Sequence, residues 1–186
     1  MTDLADGIYR RLLVIRCQVG DEAALAELVG LCQPRLRGFL FKMVGGRQNV
    51  DDLAQDVWMD VFRDLGRLAE PGAFLPWLYR IARNRAFRAL RRRPLTTEPV
   101  EPDELAAQAD EPPQFTAEDA QAVHAALDQL TPEHREVLLL RFMEEMSYED
   151  IAKVTGCQIG TIRSRIHNAK RALREIIERQ TSHDSR

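Results

Sequence analysis

Apolar residues recur at helical spacing along most of the 186-residue chain, and the alternation typical of strands is nearly absent. Glycine and proline cluster at 44–49, 66–76 and 94–113, where they interrupt the helical pattern. An all-α fold class is therefore expected, built as two small helical domains. The predicted helices cover residues 4–18, 21–44, 50–66, 74–92, 117–129, 132–143, 148–155 and 159–179.

The stretch 94–116 separates the two helical parts. It is rich in proline and in acidic residues, has no lysine or arginine, and contains little apolar material. Such a segment cannot bury enough surface to fold alone, which favours a flexible tether. We therefore predict one domain at 1–93, an acidic flexible linker at 94–116, a second domain at 117–180 and a disordered tail at 181–186.

Residues 147–171 have the pattern of a helix, a tight glycine turn and a second helix. Ser147 is a suitable N-cap with Asp150 three residues later, and Gly156 can take the left-handed conformation that ends a helix. This layout is the one that places a second helix in the major groove of DNA. A solvated amphipathic helix is the alternative, but the cap, the turn glycine and a one-sided polar face occur together here.

The second helix of this motif has one apolar stripe, formed by Ile162, Ile166, Ala169, Leu173, Ile176 and Ile177. Because a helix turns by about 100° per residue, a polar set points away from the stripe or lies beside that face, where base edges are within reach. This set is Arg163, Ser164, His167, Asn168, Arg171 and Arg174. The side chains of Arg165, Lys170 and Arg179 are better placed for phosphates.

The predicted helix from residue 50 has an apolar stripe and an acidic opposite face. That face carries Asp51, Asp52, Gln55, Asp56, Asp60 and Asp64. A solvent-exposed face is the simpler interpretation from composition alone. However, like charges on one helix repel by about a few tenths of a kcal/mol per pair, and an acidic ridge kept despite that cost suits docking onto a basic partner.

The segment Trp77–Arg93 holds seven arginines and no acid in seventeen residues. Trp77 is expected in the core, whereas Arg80, Arg83, Asn84, Arg88 and Arg91 lie around the remaining surface. Seven uncompensated charges on one helix are hard to explain without a polyanion. Basic helices with adjacent aromatic residues suit a nucleic-acid backbone and unstacked bases.

The formal charge of −3 hides a strong segregation of charge along the chain. Residues 1–93 carry 16 lysines and arginines against 11 acids, residues 94–130 carry nine acids and no base, and residues 131–186 return to +1. This asymmetry favours nucleic-acid contact by the basic parts.

Three isolated cysteines without a C-x-x-C pair indicate buried thiols in a reducing compartment. No apolar run approaches a membrane span and no export signal is present, so a cytoplasmic protein without membrane insertion is expected. The sequence shows no metal constellation, phosphate loop or nucleophile–base set. We therefore expect no metal, no cofactor, no catalytic residue and no enzymatic activity.

Along the chain there follow, in order, an acidic ridge, an arginine-rich helix, an acidic tether and a helix-turn-helix. This arrangement resembles a sigma factor of bacterial RNA polymerase, of the small extracytoplasmic-function (ECF) group of the sigma-70 family. The resemblance covers roughly 20–93, similar to sigma region 2, and 120–178, similar to sigma region 4. The run Asp52-Leu53-Ala54-Gln55-Asp56 is similar to the family's signature for binding the coiled coil of the polymerase β′ clamp. The resemblance therefore implies that Asp52, Gln55 and Asp56 dock on core polymerase, in place of a solvent face.

The loop 67–74 and the helix after it resemble the family's promoter-melting element. In such proteins the loop captures a base flipped out of the −10 element, and the helix holds the non-template strand. The resemblance implies strand contacts by Arg80, Arg83, Asn84 and Arg88.

Residues 160–166 resemble the helix motif that reads the −35 element, with Arg163, Ser164, His167 and Asn168 facing the bases. Many relatives place arginine at position 168, and Asn168 shifts the expected partner from guanine toward adenine. The acidic tether resembles the linker that such factors thread through the polymerase active-site and exit channel.

The resemblance implies a factor that binds core RNA polymerase, at the β′ clamp and β flap, and directs promoter recognition, melting and initiation. Promoter DNA is the second implied partner, and an anti-sigma factor remains open as a third. The main alternative is a dimeric helix-turn-helix regulator with an N-terminal sensor domain, which would leave the arginine helix and the acidic ridge without a purpose. An adaptor that mimics nucleic acid would leave the base-facing helix unexplained, and a nuclease lacks a carboxylate cluster near the arginines.

Overall fold

The computed structural model describes residues 2–46, 50–91 and 117–184. The expected all-α class is confirmed over these ranges, which contain eight α-helices and no strand. The predicted linker at 94–116 lies outside the described residues. The helices are α1 (Thr2–Gln18), α2 (Glu22–Val44), α3 (Val50–Asp64), α4 (Phe74–Arg91), α5 (Ala117–Gln129), α6 (Pro132–Leu138), α7 (Tyr148–Thr155) and α8 (Ile159–Asp184).

Helix α2 has defined caps at both ends. The carboxylate of Asp21 accepts a hydrogen bond from the backbone N–H of Ala24 at 3.0 Å and forms an ion pair with Arg16 at 2.7 Å. At the other end, Gly45 takes the left-handed conformation with φ +71° and donates its N–H to the carbonyl of Phe41. Both groups satisfy backbone atoms that a helix end leaves without an internal partner.

Helices α3 and α4 are joined by two short 3₁₀ turns, at Leu65–Arg67 and Pro71–Ala73. The side-chain amide of Gln18 fastens this connection to α1, because it donates to the carbonyls of Leu65 at 3.0 Å and Leu68 at 2.8 Å. The beginning of the predicted melting loop is therefore held against α1.

Two helix ends differ from the sequence prediction. The predicted helix at 132–143 is an α-helix only to Leu138, and Leu139–Met143 forms a π-helical turn. Helix α8 continues to Asp184, into the stretch that was expected to be a disordered tail from 181. No glycine or proline follows Gly160 in the sequence, so no residue breaks the helical backbone there.

The helices form two bundles, α1–α4 and α5–α8, that share one continuous core. In the first bundle the ring of Phe39 meets Tyr79 edge-on, with ring centroids 5.1 Å apart. In the second, Ile151 of α7 is fully buried together with Ile162 of α8. Helix α4 packs against α7, and α2 packs against α5 and α6. The two domains expected from the sequence therefore lie in direct contact.

Candidate nucleic-acid interface

The predicted helix-turn-helix is present at α7 and α8. The Ser147 hydroxyl oxygen accepts the N–H of Asp150 at 3.0 Å and donates its own hydrogen to the Asp150 carboxylate at 2.9 Å. Gly156 takes φ +72°, and its N–H donates to the carbonyl of Ala152 at 2.9 Å. The expected cap and glycine turn are thus confirmed. Asp150 thus bonds the Ser147 side chain in both directions, through its backbone N–H and its carboxylate.

The two faces of α8 match the predicted pattern. In the apolar stripe, Ile162, Ile166, Ala169 and Ile176 are buried, and Leu173 and Ile177 are half-buried. The set predicted to face the bases is exposed to solvent, namely Arg163, Ser164, His167, Asn168, Arg171 and Arg174. This face of α8 is therefore open to a groove of duplex DNA.

Two of the three cations of α8 that were assigned to phosphates have different surroundings. Arg165 is half-buried, and its charge acts on the buried carboxyl group of Glu136. Lys170 is exposed, with its Nζ atom 5.7 Å from the centroid of the Phe142 ring. A cation over an aromatic face is attracted by the ring quadrupole, so Lys170 leans toward the side of α8 that faces α6 and the π-helical turn.

Helix α4 presents a cationic stripe. Arg80, Asn84 and Arg88 are all exposed, and their spacing of four residues places them on one side of the helix. Arg83, the fourth predicted strand contact, points elsewhere: its Nε atom donates to Glu136 of α6, and its guanidinium carbon lies 4.6 Å from the centroid of the Phe87 ring. The structure thus brings three of the four residues together.

The arginine helix is partly compensated, contrary to the sequence prediction. Arg85 forms ion pairs with Asp56 at 2.9 Å and Asp60 at 2.6 Å, and Arg83 pairs with Glu136. The prediction of seven uncompensated charges is therefore wrong for these two side chains. Their partners belong to other helices, which the residue pattern of α4 alone cannot reveal.

The three predicted docking residues on α3, Asp52, Gln55 and Asp56, are all exposed. Toward the far end of the acidic ridge, Asp60 is largely covered and has a lowered pKa. Burial alone would raise that pKa, but hydrogen bonds from Arg85 and Arg63 outweigh the effect and keep the carboxylate charged. The exposed negative charge is therefore concentrated at the beginning of α3.

Comparisons with known proteins assign the two bundles to a family. Residues 28–94 match the family model "Sigma-70 region 2" and residues 120–173 match "Sigma-70, region 4". The RNA polymerase sigma-H factor of Pseudomonas aeruginosa is 36% identical over 178 residues, covering 89% of this chain and 92% of that protein. The ECF sigma-E factor of Escherichia coli K12 is 30% identical over 182 residues, covering 91% of this chain and 95% of that protein.

The chain belongs to the ECF group of the sigma-70 family. It is therefore an RNA polymerase sigma factor, a regulatory subunit that binds core polymerase and promoter DNA and directs initiation at selected promoters. Sigma region 2 comprises α2–α4 here, and region 4 comprises α5–α8 up to residue 173. The alternative of a dimeric helix-turn-helix regulator is not favoured, because the match extends over both regions.

Solved structures agree with this fold. The sigma factor RpoE of Bartonella quintana, solved in complex with the anti-sigma factor NepR, superimposes with a TM-score of 0.68 at 28% identity. That match covers 83% of this chain and 96% of the other. CnrH, solved with the cytosolic domain of CnrY, has the same fold at a TM-score of 0.67 and 23% identity.

A polar contact between region 2 and region 4 was missed by sequence reasoning. Arg83 of α4 donates to Glu136, and the hydroxyl of Tyr79, also on α4, donates to Glu144. Arg35 of α2 donates to the carbonyl of Met143 at 2.9 Å and lies 3.5 Å from the Glu144 carboxylate. We call this set the interdomain contact. A sequence signal existed, because Glu136 stands directly before a run of apolar positions that starts at Val137.

The two acids of the interdomain contact are buried and have perturbed pKa values. Burial raises the pKa of Glu136 to about 7, although the Arg83 guanidinium opposes this shift. Burial also raises the pKa of Glu144, against hydrogen bonding by Tyr79 and the charge of Arg35. In both cases the desolvation penalty of the carboxylate exceeds the stabilisation by its partners. Each of these carboxylates therefore takes up a proton more readily than an exposed one.

Arg135 joins the two regions through backbone carbonyls. Its buried guanidinium donates to the carbonyls of Met43 at 3.0 Å and Lys42 at 3.3 Å, at the carboxyl end of α2. It also donates to the carbonyls of Leu127 and Asp128 within region 4. A cation at this position satisfies terminal carbonyls and complements the negative end of the helix dipole.

The described residues offer neither a metal site nor a membrane-spanning helix. In ranges 2–46, 50–91 and 117–184, no cluster of three or more histidine, cysteine, aspartate or glutamate side chains could hold a metal ion. Within the same ranges, none of the helices combines the length and the apolar character that crossing a membrane requires.

Proposed function

We propose that this sigma factor uses three separate surfaces during initiation. Asp52, Gln55 and Asp56 on α3 dock on the β′ clamp of core polymerase. The −35 element is read by α8, through Arg163, Ser164, Arg165, His167, Asn168, Lys170 and Arg171. The melted −10 strand is held by Arg80, Arg83, Asn84 and Arg88 of α4. The observation that carries the proposal is the exposed stripe of Arg80, Asn84 and Arg88, which belongs to the helix that Arg85 joins to α3.

The stripe on α4 suits a nucleic-acid strand. Arg80 and Arg88 are eight residues apart, which corresponds to about 12 Å along a helix that rises about 1.5 Å per residue. Stacked nucleotides follow each other at about 3.4 Å, so the stripe spans roughly three phosphates. Asn84 between the two arginines can donate and accept hydrogen bonds at a base edge. A strand held here would also lie next to the polymerase that docks on α3.

The exposed face of α8 suits base readout. Arg163 and Asn168 lie where a helix inserted into the major groove meets base edges, and asparagine pairs with adenine through two hydrogen bonds. Ser164 already donates its hydroxyl hydrogen to the carbonyl of Thr161 at 3.0 Å, so its oxygen acts at DNA as an acceptor. Arg165, Lys170 and Arg171 supply positive charge for the flanking phosphates.

An apolar groove on region 4 fits the β flap. The cavity has a volume of about 670 Å³ and lies between α5, the π-helical turn and α8. Leu139, Phe142 and Leu173 contribute apolar walls, while Lys170 and Arg174 line it with positive charge. Phe142 is one of the large apolar side chains left exposed. A partner segment with an apolar face and acidic flanks would cover it.

We propose that the chain acts in the cytoplasm, has no catalytic activity of its own and needs no cofactor. The Bartonella relative was solved bound to an anti-sigma factor, and we propose that an anti-sigma factor also holds this chain inactive.

The decisive experiment is run-off transcription with purified core polymerase and a genomic DNA library, followed by sequencing of the start sites. Addition of the chain is expected to create a set of start sites that share −10 and −35 sequences. A dimeric regulator would instead bind duplex DNA tightly without polymerase and would leave the start sites unchanged. Failure to change start-site selection would contradict the proposal.

A further inference from the structure

The apolar cavity between α5, the π-helical turn and α8 is also lined by a lysine from outside region 4. This residue is Lys42, which lies in the last turn of α2. The proposed contact with the β flap involves the groove of region 4 and gives Lys42 no role. The cavity volume of about 670 Å³ falls within the range of about 300–1,000 Å³ that is usual for small-molecule sites. A small ligand is therefore a second kind of occupant to consider.

Lys42 is a half-buried cation without an acid of its own. Burial lowers the pKa of its ammonium group, because the surroundings replace only part of the water that the charge loses. The charge of Glu144 opposes this shift, but the Glu144 carboxylate is engaged by Tyr79 and Arg35. Among the described residues, no acid forms an ion pair with Lys42. An anion in the cavity would supply the stabilisation that this ammonium group lacks.

The other charged groups that line the cavity also favour an anion. Lys170 and Arg174 of α8 contribute two further cations, and Glu178 is the single acid among the described lining residues. His124 of α5 lines the cavity as well, and the charge of Lys42 acts on its imidazole ring. Three cations against one carboxylate give the cavity a positive potential, which attracts an anionic ligand.

The walls of the cavity suit an aliphatic tail. Phe142 contributes a phenyl ring, and the other apolar lining residues are leucine, isoleucine, valine or methionine. A ligand with a polar body would leave its donors and acceptors unpaired against such walls. A hydrocarbon chain instead gains free energy with every methylene group that it buries. Apolar walls combined with an excess of cations therefore match a molecule that has an anionic head and an apolar tail.

We propose that the cavity binds a single-chain carboxylate amphiphile, in chemical class a fatty acid. The carboxylate pairs with Lys42, and the tail lies against Leu127, Leu139 and Leu173. Because the tail covers the surface proposed to meet the β flap, the bound ligand excludes the flap and lowers initiation. This consequence rests on the proposed flap contact, whereas the ligand site itself does not.

Calorimetric titration of the full chain with decanoate and dodecanoate, both below their micelle-forming concentrations, tests the site. One binding site per chain is expected. The affinity is expected to rise about fourfold per methylene group, and so about fifteenfold from decanoate to dodecanoate. Decanol has the tail of decanoate without its charge and is expected to bind at least about tenfold more weakly.

Lys42→Met tests the assignment of the headgroup, because methionine keeps an unbranched side chain without the charge. Its affinity for dodecanoate is expected to fall at least about tenfold, while the gain per methylene group stays the same. Lys153→Met is the matched control, since Lys153 is 61% exposed on α7 and does not line the cavity. This control is expected to bind as wild type does. Circular dichroism checks folding, and if Lys42→Met unfolds, Val123→Phe, which narrows the cavity from α5, is tested with the same loss of affinity expected.

Run-off transcription with core polymerase tests the consequence for initiation. Wild-type protein saturated with dodecanoate before core is added is expected to initiate at least about fivefold less. Lys42→Met at the same dodecanoate concentration is expected to keep the level that it shows without ligand, which excludes a direct effect on core.

Contrary results distinguish the ligand site from the proposed function. The absence of saturable dodecanoate binding, or equal affinities for decanol and decanoate, overturns the site and leaves the proposed function intact. Equal dodecanoate binding by Lys42→Met and wild type overturns the pairing of the carboxylate with Lys42. Binding at one site with unchanged transcription overturns the exclusion of the flap and contradicts the proposed flap contact at this cavity.

Discussion

Arg85 of α4 is paired with Asp60 of α3, with Nη2 2.6 Å from the carboxylate oxygen Oδ2. The same guanidinium reaches Asp56 at 2.9 Å through Nη1. Because these bonds join the two helices side by side, the surface proposed to meet polymerase and the surface proposed to hold the melted strand form one rigid unit. Arg85 therefore stabilises the packing of α3 against α4, whereas Arg80 and Arg88 on the same helix face solvent.

This distinction predicts which arginines determine the salt dependence of strand binding. Each phosphate contact on a single strand contributes a slope of about −0.7 in a plot of log affinity against log salt. Replacing Arg80 and Arg88 together with glutamine is expected to make the slope less steep by about 1.4. The measurement is a titration of a single-stranded oligonucleotide at several ionic strengths.

Arg85→Gln is the matched control for this series, since it removes the same charge from the same helix but from a side chain engaged by Asp60. It is expected to leave the slope of strand binding within error of wild type and to lower the stability of the fold. An equal loss of slope in Arg85→Gln would show that overall charge, and not the exposed stripe, governs binding.

Charge reversal on the acidic ridge is expected to abolish docking on core polymerase. Asp52 and Asp56 are exposed on α3, so Asp52→Lys with Asp56→Lys should leave the helix intact while replacing attraction to a basic partner by repulsion. We expect the affinity for core polymerase to fall at least about tenfold, equivalent to about 1.4 kcal/mol. A pull-down or a binding titration with purified core measures this.

Asp6→Lys serves as the comparison for that variant, because Asp6 is an exposed acid on α1, away from the ridge. It should bind core polymerase as wild type does. Unchanged binding by the Asp52 and Asp56 variant, with its circular dichroism spectrum also unchanged, would remove the ridge from the docking surface.

Asn168→Arg is expected to change which −35 sequence is used more than it changes total affinity. Asparagine pairs with adenine and arginine with guanine, and such a pair discriminates against the wrong base by about 1–3 kcal/mol. Position 168 is exposed on α8, so the longer side chain meets no steric obstacle in the protein. Transcription of a promoter library by both proteins gives the two preferences.

Lys170→Gln is the companion variant on the same helix, at a residue assigned to phosphates. It should weaken binding of all −35 sequences to a similar extent. Identical sequence preferences for wild type and Asn168→Arg would exclude residue 168 from base readout.

The pH dependence of the interdomain contact follows from Glu136. Its pKa is about 7 when it is buried in this contact, whereas an exposed glutamate titrates at about 4.3. Between these values the joined regions bind a proton that the separated regions do not, so falling pH stabilises the contact and rising pH through about 7 removes that stabilisation. The chain is therefore expected to be more compact at pH 6 than at pH 8, measured as a smaller radius of gyration by small-angle scattering.

Other charged groups around Glu136 set the size of this effect. Arg83 from α4 and Arg165 from α8 oppose the rise in its pKa, and Glu133 on its own helix supports it. Glu144, whose pKa is also raised, acts in the same direction. Glu136→Gln should retain only the smaller dependence due to Glu144. A radius of gyration that is independent of pH in wild type would contradict this account.

Much of the fold could be predicted from local signals. Apolar periodicity and capping residues such as Ser147 and Gly156 act within one or two helical turns, and they located every described helix. The exposed faces of α3 and α8 follow from the same periodicity. The candidate site on α4 was predicted only in part, because the environment of Arg83 depends on Glu136, which lies 53 residues away in the sequence.

Features that depend on packing between helices could not be read from the sequence. The π-helical turn at Leu139–Met143 and the partners of Arg85 arise from three-dimensional neighbours. The relative position of regions 2 and 4 depends on the core that they share and on polar contacts such as Tyr79 with Glu144, and neither leaves a periodic trace in the chain. Composition indicated an excess of arginine on α4 but not which of these arginines are paired.

The guanidinium of Arg135 has a consequence for the order of α2. Two carbonyls in the last turn of this helix, at Lys42 and Met43, accept hydrogen bonds from a residue that belongs to region 4. When the regions part, water must replace that donor, and the final turn before Gly45 loses its external support. This end of α2 would therefore fray whenever region 4 separates from region 2. The backbone amides there would report whether the two regions of the sigma factor are joined or apart.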